Sequence, residues 1–164
     1  LTNRVYLSPQ TAPPEYVRVN ERYLFRTATD PAIPAGELGL SNVQRSHLMV
    51  GLGERVAVEP FDPPAVTPNC YIDVLTVQVE PIRKSARRSG PVVLDADRLA
   101  ELFREHFVGL VFAVGQPVIM EFGGANYRFD VLSVNNLDVD TLKHGPPKVL
   151  KPTSSTSPEW GVLL

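Results

Sequence analysis

Sixteen prolines limit where this 164-residue chain can form regular secondary structure. Proline has no backbone N–H, so it resists the interiors of helices and of central strands. Most of the prolines fall in four stretches, Pro13-Pro14, Pro31 to Pro34, Pro60 to Pro68, and Pro146 to Pro158. These stretches predict turns, loops and linkers, and the strands and helices are expected between them.

The part of the chain before residue 63 consists mainly of short runs typical of strands. Strands are predicted over Arg4 to Leu7, Tyr16 to Val19, Arg22 to Thr29, Glu37 to Leu40 and Glu54 to Glu59. A single helical turn is predicted after Leu40, with Ser41 or Asn42 as its cap. Several short strands with almost no helix predict a small barrel or sandwich.

Pro63, Pro64 and Pro68 mark a predicted subdomain boundary, because these prolines are not expected inside a sheet. Residues 1–62 are therefore assigned to a barrel subdomain, residues 63–69 to a proline-rich linker, and residues 70–164 to an α/β subdomain. The order β-α-β-β is predicted for this last part. Its strands run from Tyr71 to Val79, over 115–122 and over 127–134, with a hairpin turn at 123–126. Another strand begins at Glu159, and its apolar end at Leu164 suggests a fragment of a longer protein.

One helix is predicted from an acidic start and a helical spacing of apolar residues. Asp95 or Asp97 begins it, which places negative charge at the positive end of the helix dipole. Leu99, Leu102, Phe103 and Phe107 recur at a helical spacing and form one apolar face. Gly109 is expected to end the helix.

The sequence lacks the motifs of catalysis that we sought. Gly-Lys does not occur, so the phosphate-binding Gly-x-x-x-x-Gly-Lys-Ser/Thr loop is absent, and no Gly-x-Ser-x-Gly elbow is present. His47, His106 and His144 are scattered, and the single Cys70 is near none of them, so no metal site is predicted. We predict no catalytic, cofactor-binding or metal-binding residue. Cys70 is expected to be a small buried hydrophobe, and one cysteine favours a reducing compartment.

A basic loop is the main feature that could bind a partner. Arg83, Lys84, Arg87 and Arg88 place four positive charges within six residues of a chain whose net charge is −2. The loop could be merely solvated, or it could attract and orient an acidic partner. Nucleic acid is not favoured, because the run contains no aromatic residue to stack on bases.

An ordered series of elements resembles the amino-terminal domain of the N-ethylmaleimide-sensitive fusion protein (NSF) family. The resemblance covers about Leu1 to Asp138. The elements of its first half are Asp30 to Gly36, Ser41, Gln44-Arg45, Gly53 and Val56 to Val58. Those of its second half are Cys70 to Glu80, the basic loop, Asp97 to Phe103, and Phe112 to Phe122.

The resemblance implies a double-psi β-barrel followed by a small β-α-β-β (α/β roll) subdomain. It implies a non-catalytic, monomeric domain that binds the SNAP adaptor on SNARE complexes for SNARE disassembly in vesicle fusion and ER–Golgi protein transport. ATP and Mg²⁺ would bind in separate ATPase domains of a hexameric AAA ATPase parent. The parent would be cytoplasmic and would reach membranes only through its partners.

The resemblance also implies adaptor-binding residues beside the groove between the subdomains. By position these are Arg45 and Lys84, and Arg83, Arg87 and Arg88 supply further charge in the same loop. The family favours two consecutive lysines in this loop and an aromatic residue shortly after the Gln-Arg pair. This chain instead has Ser85 after Lys84, and His47 in place of the aromatic residue.

Three alternatives to this interpretation remain. One is the corresponding domain of an ATPase similar to valosin-containing protein, which binds ubiquitin-linked cofactors. A second is a stand-alone double-psi barrel enzyme such as a pyruvoyl decarboxylase, although the Gly-Ser cleavage site of that class is absent. The third is an interaction module without an ATPase parent.

Overall fold

A computed structural model describes residues 3–10, 12–66, 69–82, 93–137 and 159–164, and these residues are mostly strand with some helix. The first sheet has the order β1-β3-β2-β4, and its only parallel pair within the described ranges is β1 with β3. Its strands are β1 (Val5–Leu7), β2 (Tyr16–Val19), β3 (Tyr23–Thr29) and β4 (Val58–Phe61). Helix α1 (Asn42–Leu48) lies between β3 and β4, and helix α2 (Pro63–Val66) follows β4.

The rest of the described chain forms two antiparallel sheets and one longer helix. The larger sheet has the order β5-β8-β7, with β5 (Ile72–Pro81), β7 (Pro117–Phe122) and β8 (Ala125–Asn136). The smaller sheet pairs β6 (Val111–Ala113) with β9 (Trp160–Val162). Helix α3 (Ala96–Phe107) precedes β6. The mixed β and α+β class predicted from the sequence is confirmed at this level.

Of the strands predicted before residue 63, one was wrong and a second was wrong in its bounds. Glu37 to Leu40 is not a strand, and only Gly39 forms an isolated bridge, with Tyr6. The strand predicted over Glu54 to Glu59 instead begins at Val58 and continues through Pro60 to Phe61. Proline fits there because β4 is at the edge of its sheet, where a missing N–H breaks no ladder.

The order predicted after residue 69 was incomplete. The structure contains β6 in addition to the predicted strands, and β6 pairs with β9. The three residues of β6 are too few to show an alternating pattern, and the pairing joins residues that are far apart in the sequence. Helix α2 occupies part of the predicted linker, where Pro63 suits the first position of a helix.

Helix α3 and the β7–β8 hairpin agree with their sequence signals. Asp95 caps α3 through a hydrogen bond that its Oδ1 accepts from Arg98 N at 3.1 Å. The predicted apolar face points inward, with Leu99, Phe103 and Phe107 buried. Gly109 follows the helix end with a φ of 73°. In the hairpin, Gly123 and Gly124 both have positive φ, as a two-residue turn requires.

Three clusters of buried side chains form the core. One lies within the first sheet and includes Leu48 of α1, and the largest surrounds α3 and the β5-β8-β7 sheet. The middle cluster joins residues from before and after the predicted linker, namely Tyr16, Leu24, Phe61, Cys70, Val111 and Val162. Cys70 is fully buried, and this burial raises the pKa of its thiol, so the prediction of a buried hydrophobe is confirmed. The division at residues 63–69 stays a prediction.

Tyr16→Phe is expected to lower the free energy of unfolding by about 0.5–1.5 kcal/mol. The Tyr16 hydroxyl on β2 donates to the carbonyl of Gly109 after α3 at 2.9 Å, so it links the two parts of the chain. Urea unfolding measures the change. Tyr23→Phe is the matched control, because the Tyr23 hydroxyl donates to no residue of the described ranges. Equal stability of the two variants would contradict the prediction.

None of the helices in the described ranges is both long and apolar enough to cross a bilayer.

Candidate functional site

Of the predicted binding residues, Arg45 lies in the described part of the chain. Arg83, Lys84, Arg87 and Arg88 lie outside the described residues. Arg45 is half-buried on α1, and its guanidinium Nη2 donates a hydrogen bond to Asn42 Oδ1 one turn earlier. The position of α1 therefore determines where this charge is presented.

Helix α1 is held in place by the buried side chain of Gln44. Its amide oxygen accepts a hydrogen bond from Ser41 N at 2.8 Å, while Ser41 Oγ accepts one from Gln44 N at 3.3 Å. The amide nitrogen of Gln44 donates to the carbonyl of Arg4 beside β1 at 3.0 Å. The same side chain thus closes a capping box and ties the helix to the first sheet. The Ser-x-x-Gln spacing is a signal that the sequence analysis did not use for Gln44.

A small groove lies between α1 and the start of β7. It has a volume of about 260 Å³ and is lined by Asn42, Val43, Ser46, His47, Gly115, Pro117 and Arg128. Arg45 is not among the lining residues, but its guanidinium donates to Asn42, which lines the groove. We call this space the α1–β7 groove.

The wall opposite α1 is fixed by the turn before β7. Gln116 is buried, and its side-chain oxygen accepts a hydrogen bond from Ala113 N at 2.9 Å. Gly115 N donates to the Val131 carbonyl at 2.8 Å, and Val131 N donates to the Gln116 carbonyl at 3.1 Å. Gly115 has a φ of 81°, which favours glycine at this turn. Both walls of the groove are therefore held by buried glutamines.

The α1–β7 groove brings together His47 and Arg128, which are far apart in the sequence. The imidazole of His47 packs edge-on against Tyr23 with ring centroids 5.0 Å apart, and the Arg22 guanidinium lies 5.4 Å from the Tyr23 centroid. Burial lowers the pKa of His47, the charges of Arg22 and Arg128 lower it further, and Asp130 opposes them. From the sequence, His47 was only a histidine remote from the others and the replacement for the family's aromatic residue after the Gln-Arg pair, because no local pattern connects it with Arg128.

A second, larger cleft lies between the first sheet and the end of α3. Its volume is about 760 Å³, and its lining includes Pro14, Tyr16, Pro60, Phe61, Pro64 and Tyr71. The charged residues of its lining are Glu15 and Asp62, and Glu15 pairs with Arg26 at 3.0 Å. The cleft thus offers an apolar surface with an acidic edge, whereas the α1–β7 groove has a basic edge.

No group of three or more His, Cys, Asp or Glu side chains is arranged to hold a metal ion in the ranges that the structure describes.

Comparison with known proteins relates the chain to vesicle-fusing ATPases. Residues 93–157 match the family model described as Cell division protein 48 (CDC48), domain 2. The chain is 27% identical over 139 residues to a vesicular-fusion protein of Schizosaccharomyces pombe, a match that covers 85% of this chain. It is 29% identical over 126 residues to a vesicle-fusing ATPase of Arabidopsis thaliana, covering 77% of this chain.

A vesicular-fusion protein of Saccharomyces cerevisiae is 23% identical over 145 residues, covering 87% of this chain. The matched regions span only 17%, 16% and 19% of these three relatives, respectively. The matches therefore concern one domain of much longer proteins. They confirm the resemblance to the NSF family that was predicted from the sequence.

Proposed function

We propose that this chain is the adaptor-binding domain of an NSF-like AAA ATPase and that it binds SNAP–SNARE complexes at the rim of the α1–β7 groove. The observation that supports the proposal is the hydrogen bond from Arg45 to Asn42, a residue of the groove lining, on a helix that Gln44 ties to Arg4 beside β1. Arginine binds carboxylates through charge-assisted hydrogen bonds, so this rim suits an acidic adaptor surface.

The basic loop is proposed as part of the same surface. Ile82 N donates to the Asn126 carbonyl at 2.8 Å, which anchors the residue that precedes Arg83 to the β7–β8 hairpin. On β5, Glu80 is the register partner of Arg128, which lines the groove. Ile82 follows Glu80 by two residues, and Glu80 is paired with Arg128 in the groove wall. Ile82 therefore lies near this wall. This proximity supports including Arg83, Lys84, Arg87 and Arg88.

Weak binding by a single domain is consistent with this role. Exposed ion pairs contribute only about 0–1 kcal/mol each, so one copy would bind loosely. A hexameric parent that presents six copies would gain affinity through avidity. In this proposal the parent's ATPase domains bind ATP and Mg²⁺ and disassemble SNARE complexes in cytoplasmic vesicle transport, including ER–Golgi transport. The domain itself is monomeric, non-catalytic and recruited to membranes through its partners.

The proposal includes a double-psi β-barrel in residues 1–62. The parallel pairing of β1 with β3 and the bridge between Tyr6 and Gly39 support it, because both return distant segments to the first strand. An α/β roll is proposed for residues 70–164.

Arg45→Ala combined with Lys84→Glu is expected to weaken binding of the SNAP–SNARE complex by about threefold to thirtyfold, without unfolding the domain. The reason is the loss of one rim charge and the reversal of another. NMR shift perturbation of this chain, titrated with the complex at low and moderate salt, measures the affinity. Wild-type shifts at Arg45 should fade as salt screens the charges.

Arg98→Ala is the control for this variant, because Arg98 is exposed on α3 and pairs with Glu101 at 3.0 Å. Its removal should leave the affinity unchanged. Unaltered binding by the Arg45/Lys84 double variant would exclude the assigned surface.

The larger cleft favours a second candidate function. Its apolar lining with Tyr16, Phe61 and Tyr71 suits an apolar anchor of a partner, as expected for a domain that binds ubiquitin-linked cofactors. Titration with a ubiquitin-type cofactor domain distinguishes the two candidates. Shifts at Tyr71 and Phe61 with this ligand, and none with the SNAP–SNARE complex, would replace the adaptor proposal.

A further inference from the structure

His47 faces the α1–β7 groove with a ring that has no hydrogen-bond partner in the described part of the chain. The side chain lines the groove and is half-buried, and its ring is fixed by the edge-on contact with Tyr23. Among the described residues, none forms a hydrogen bond with either ring nitrogen of His47. An imidazole in this situation can bind a ligand atom without first losing a hydrogen bond to a described residue.

Arg128 faces the same groove from β8 and is held by a neighbour on its own strand. Arg128 Nε donates to both carboxylate oxygens of Asp130, at 3.0 and 2.9 Å, and Nη2 donates to Oδ1 at 2.8 Å. The two residues are two positions apart on a strand, so they share a face. The second terminal nitrogen, Nη1, donates to no residue of the described ranges. Arg128 is therefore oriented by Asp130 and keeps one nitrogen that donates to nothing in the described ranges.

We propose that the α1–β7 groove binds one carboxylate of the acidic partner between His47 and Arg128, and that His47 takes up a proton from solvent on binding. This inference rests on the proposed function, since the carboxylate is an Asp or Glu side chain of the adaptor. The charge of Arg128 is offset by Asp130, so near His47 a bound carboxylate would have Arg22 as its main remaining countercharge. Protonation of His47 supplies a further positive charge and converts both ring nitrogens to donors.

The charges around His47 determine the sign of the pH dependence. Arg22 from the β2–β3 turn and Arg128 from β8 oppose protonation, Asp130 favours it, and the lining residue of β7 is the uncharged Pro117. In the free domain the pKa of His47 is lowered, mainly by burial and additionally by Arg22 and Arg128. A carboxylate beside the ring favours the charged form and raises this pKa. The complex then holds more protons than the free domain, and affinity increases as the pH falls toward the lowered value.

The test is the affinity of this chain for the SNAP–SNARE complex between pH 7.5 and 6.0, at constant ionic strength. Wild-type binding should tighten about threefold or more over this interval, within the limit of about tenfold per pH unit for one proton. His47→Phe keeps a ring against Tyr23 but cannot be protonated, so it should lose this dependence. His47→Gln is a second variant in case the first perturbs folding. His106→Gln is the matched control, because His106 is exposed on α3 away from the groove.

Arg128→Gln should weaken binding about threefold or more at pH 6.0, since it removes the other contact to the carboxylate. The ring protons of His47 provide a direct NMR readout, and their titration midpoint should rise when the complex is added. Binding with equal pH dependence in wild type and His47→Phe would overturn this inference and leave the proposed function intact. An absence of wild-type binding at every pH would instead overturn the proposed function, and this inference with it.

Discussion

Phe103→Ala is expected to lower the free energy of unfolding by about 3–5 kcal/mol, because it leaves a cavity where α3 meets the sheets. Phe103 is 8% exposed and belongs to the largest core cluster. Its ring centroid lies 4.6 Å from that of Phe107, 5.6 Å from that of Phe112 on β6, and 5.1 Å from that of Phe129 on β8. Truncation therefore removes contacts to three elements together.

Urea unfolding followed by circular dichroism measures this loss, and two further variants give it a scale. Phe103→Leu should lose less, because most of the apolar volume remains. Arg104→Ala changes the next residue, which is exposed, and should stay within about 0.5 kcal/mol of wild type. A Phe103→Ala variant as stable as Arg104→Ala would show that the apolar face of α3 contributes little to stability.

Gly161→Ala is expected to cost about 1–3 kcal/mol, through overpacking at the centre of β9. An added Cβ would overlap Asn136 Oδ1 and would lie 2.6 Å from Ile72 Cγ1 and 3.2 Å from the Cys70 carbonyl oxygen. Asn136 can move only with difficulty, because its Nδ2 donates to the Trp160 carbonyl at 3.0 Å. The Cys70 carbonyl is also held, since it accepts a hydrogen bond from Val162 N at 2.7 Å.

Fluorescence of Trp160 during urea unfolding reports this change directly, because Trp160 is the single tryptophan and packs edge-on against Phe61 at 5.3 Å. Gly51→Ala is the matched control. A Cβ on Gly51 would meet its nearest neighbour, Glu54 Oε2, at an ordinary 3.4 Å. Equal unfolding midpoints for the two alanine variants would mean that β9 shifts to accept the methyl group.

The candidate site was only half predictable. Arg45 was identified through its place in a family-like series, and Ser41 was one of two candidate caps for its helix, the other being Asn42. The lining of the groove beside it was not, because His47 on α1 and Arg128 on β8 meet only when α1 packs against the start of β7. The sequence positions of His47 and Arg128 give no indication that the two side chains are close in space. The basic loop of residues 83–88 stays a prediction, since it lies outside the described residues.

The same distinction separates the parts of the fold. The sequence alone determined α3 with its acidic start, the Gly123–Gly124 turn and the long strand β5, because capping, glycine turns and periodic burial act within a few residues. Only the tertiary structure decided that β6 pairs with β9, that Pro60 lies in an edge strand, and that Gly161 packs against Ile72. These arrangements depend on which distant segments come together. Such contacts stabilise the fold only after the entropy cost of closing the intervening chain into a loop has been met.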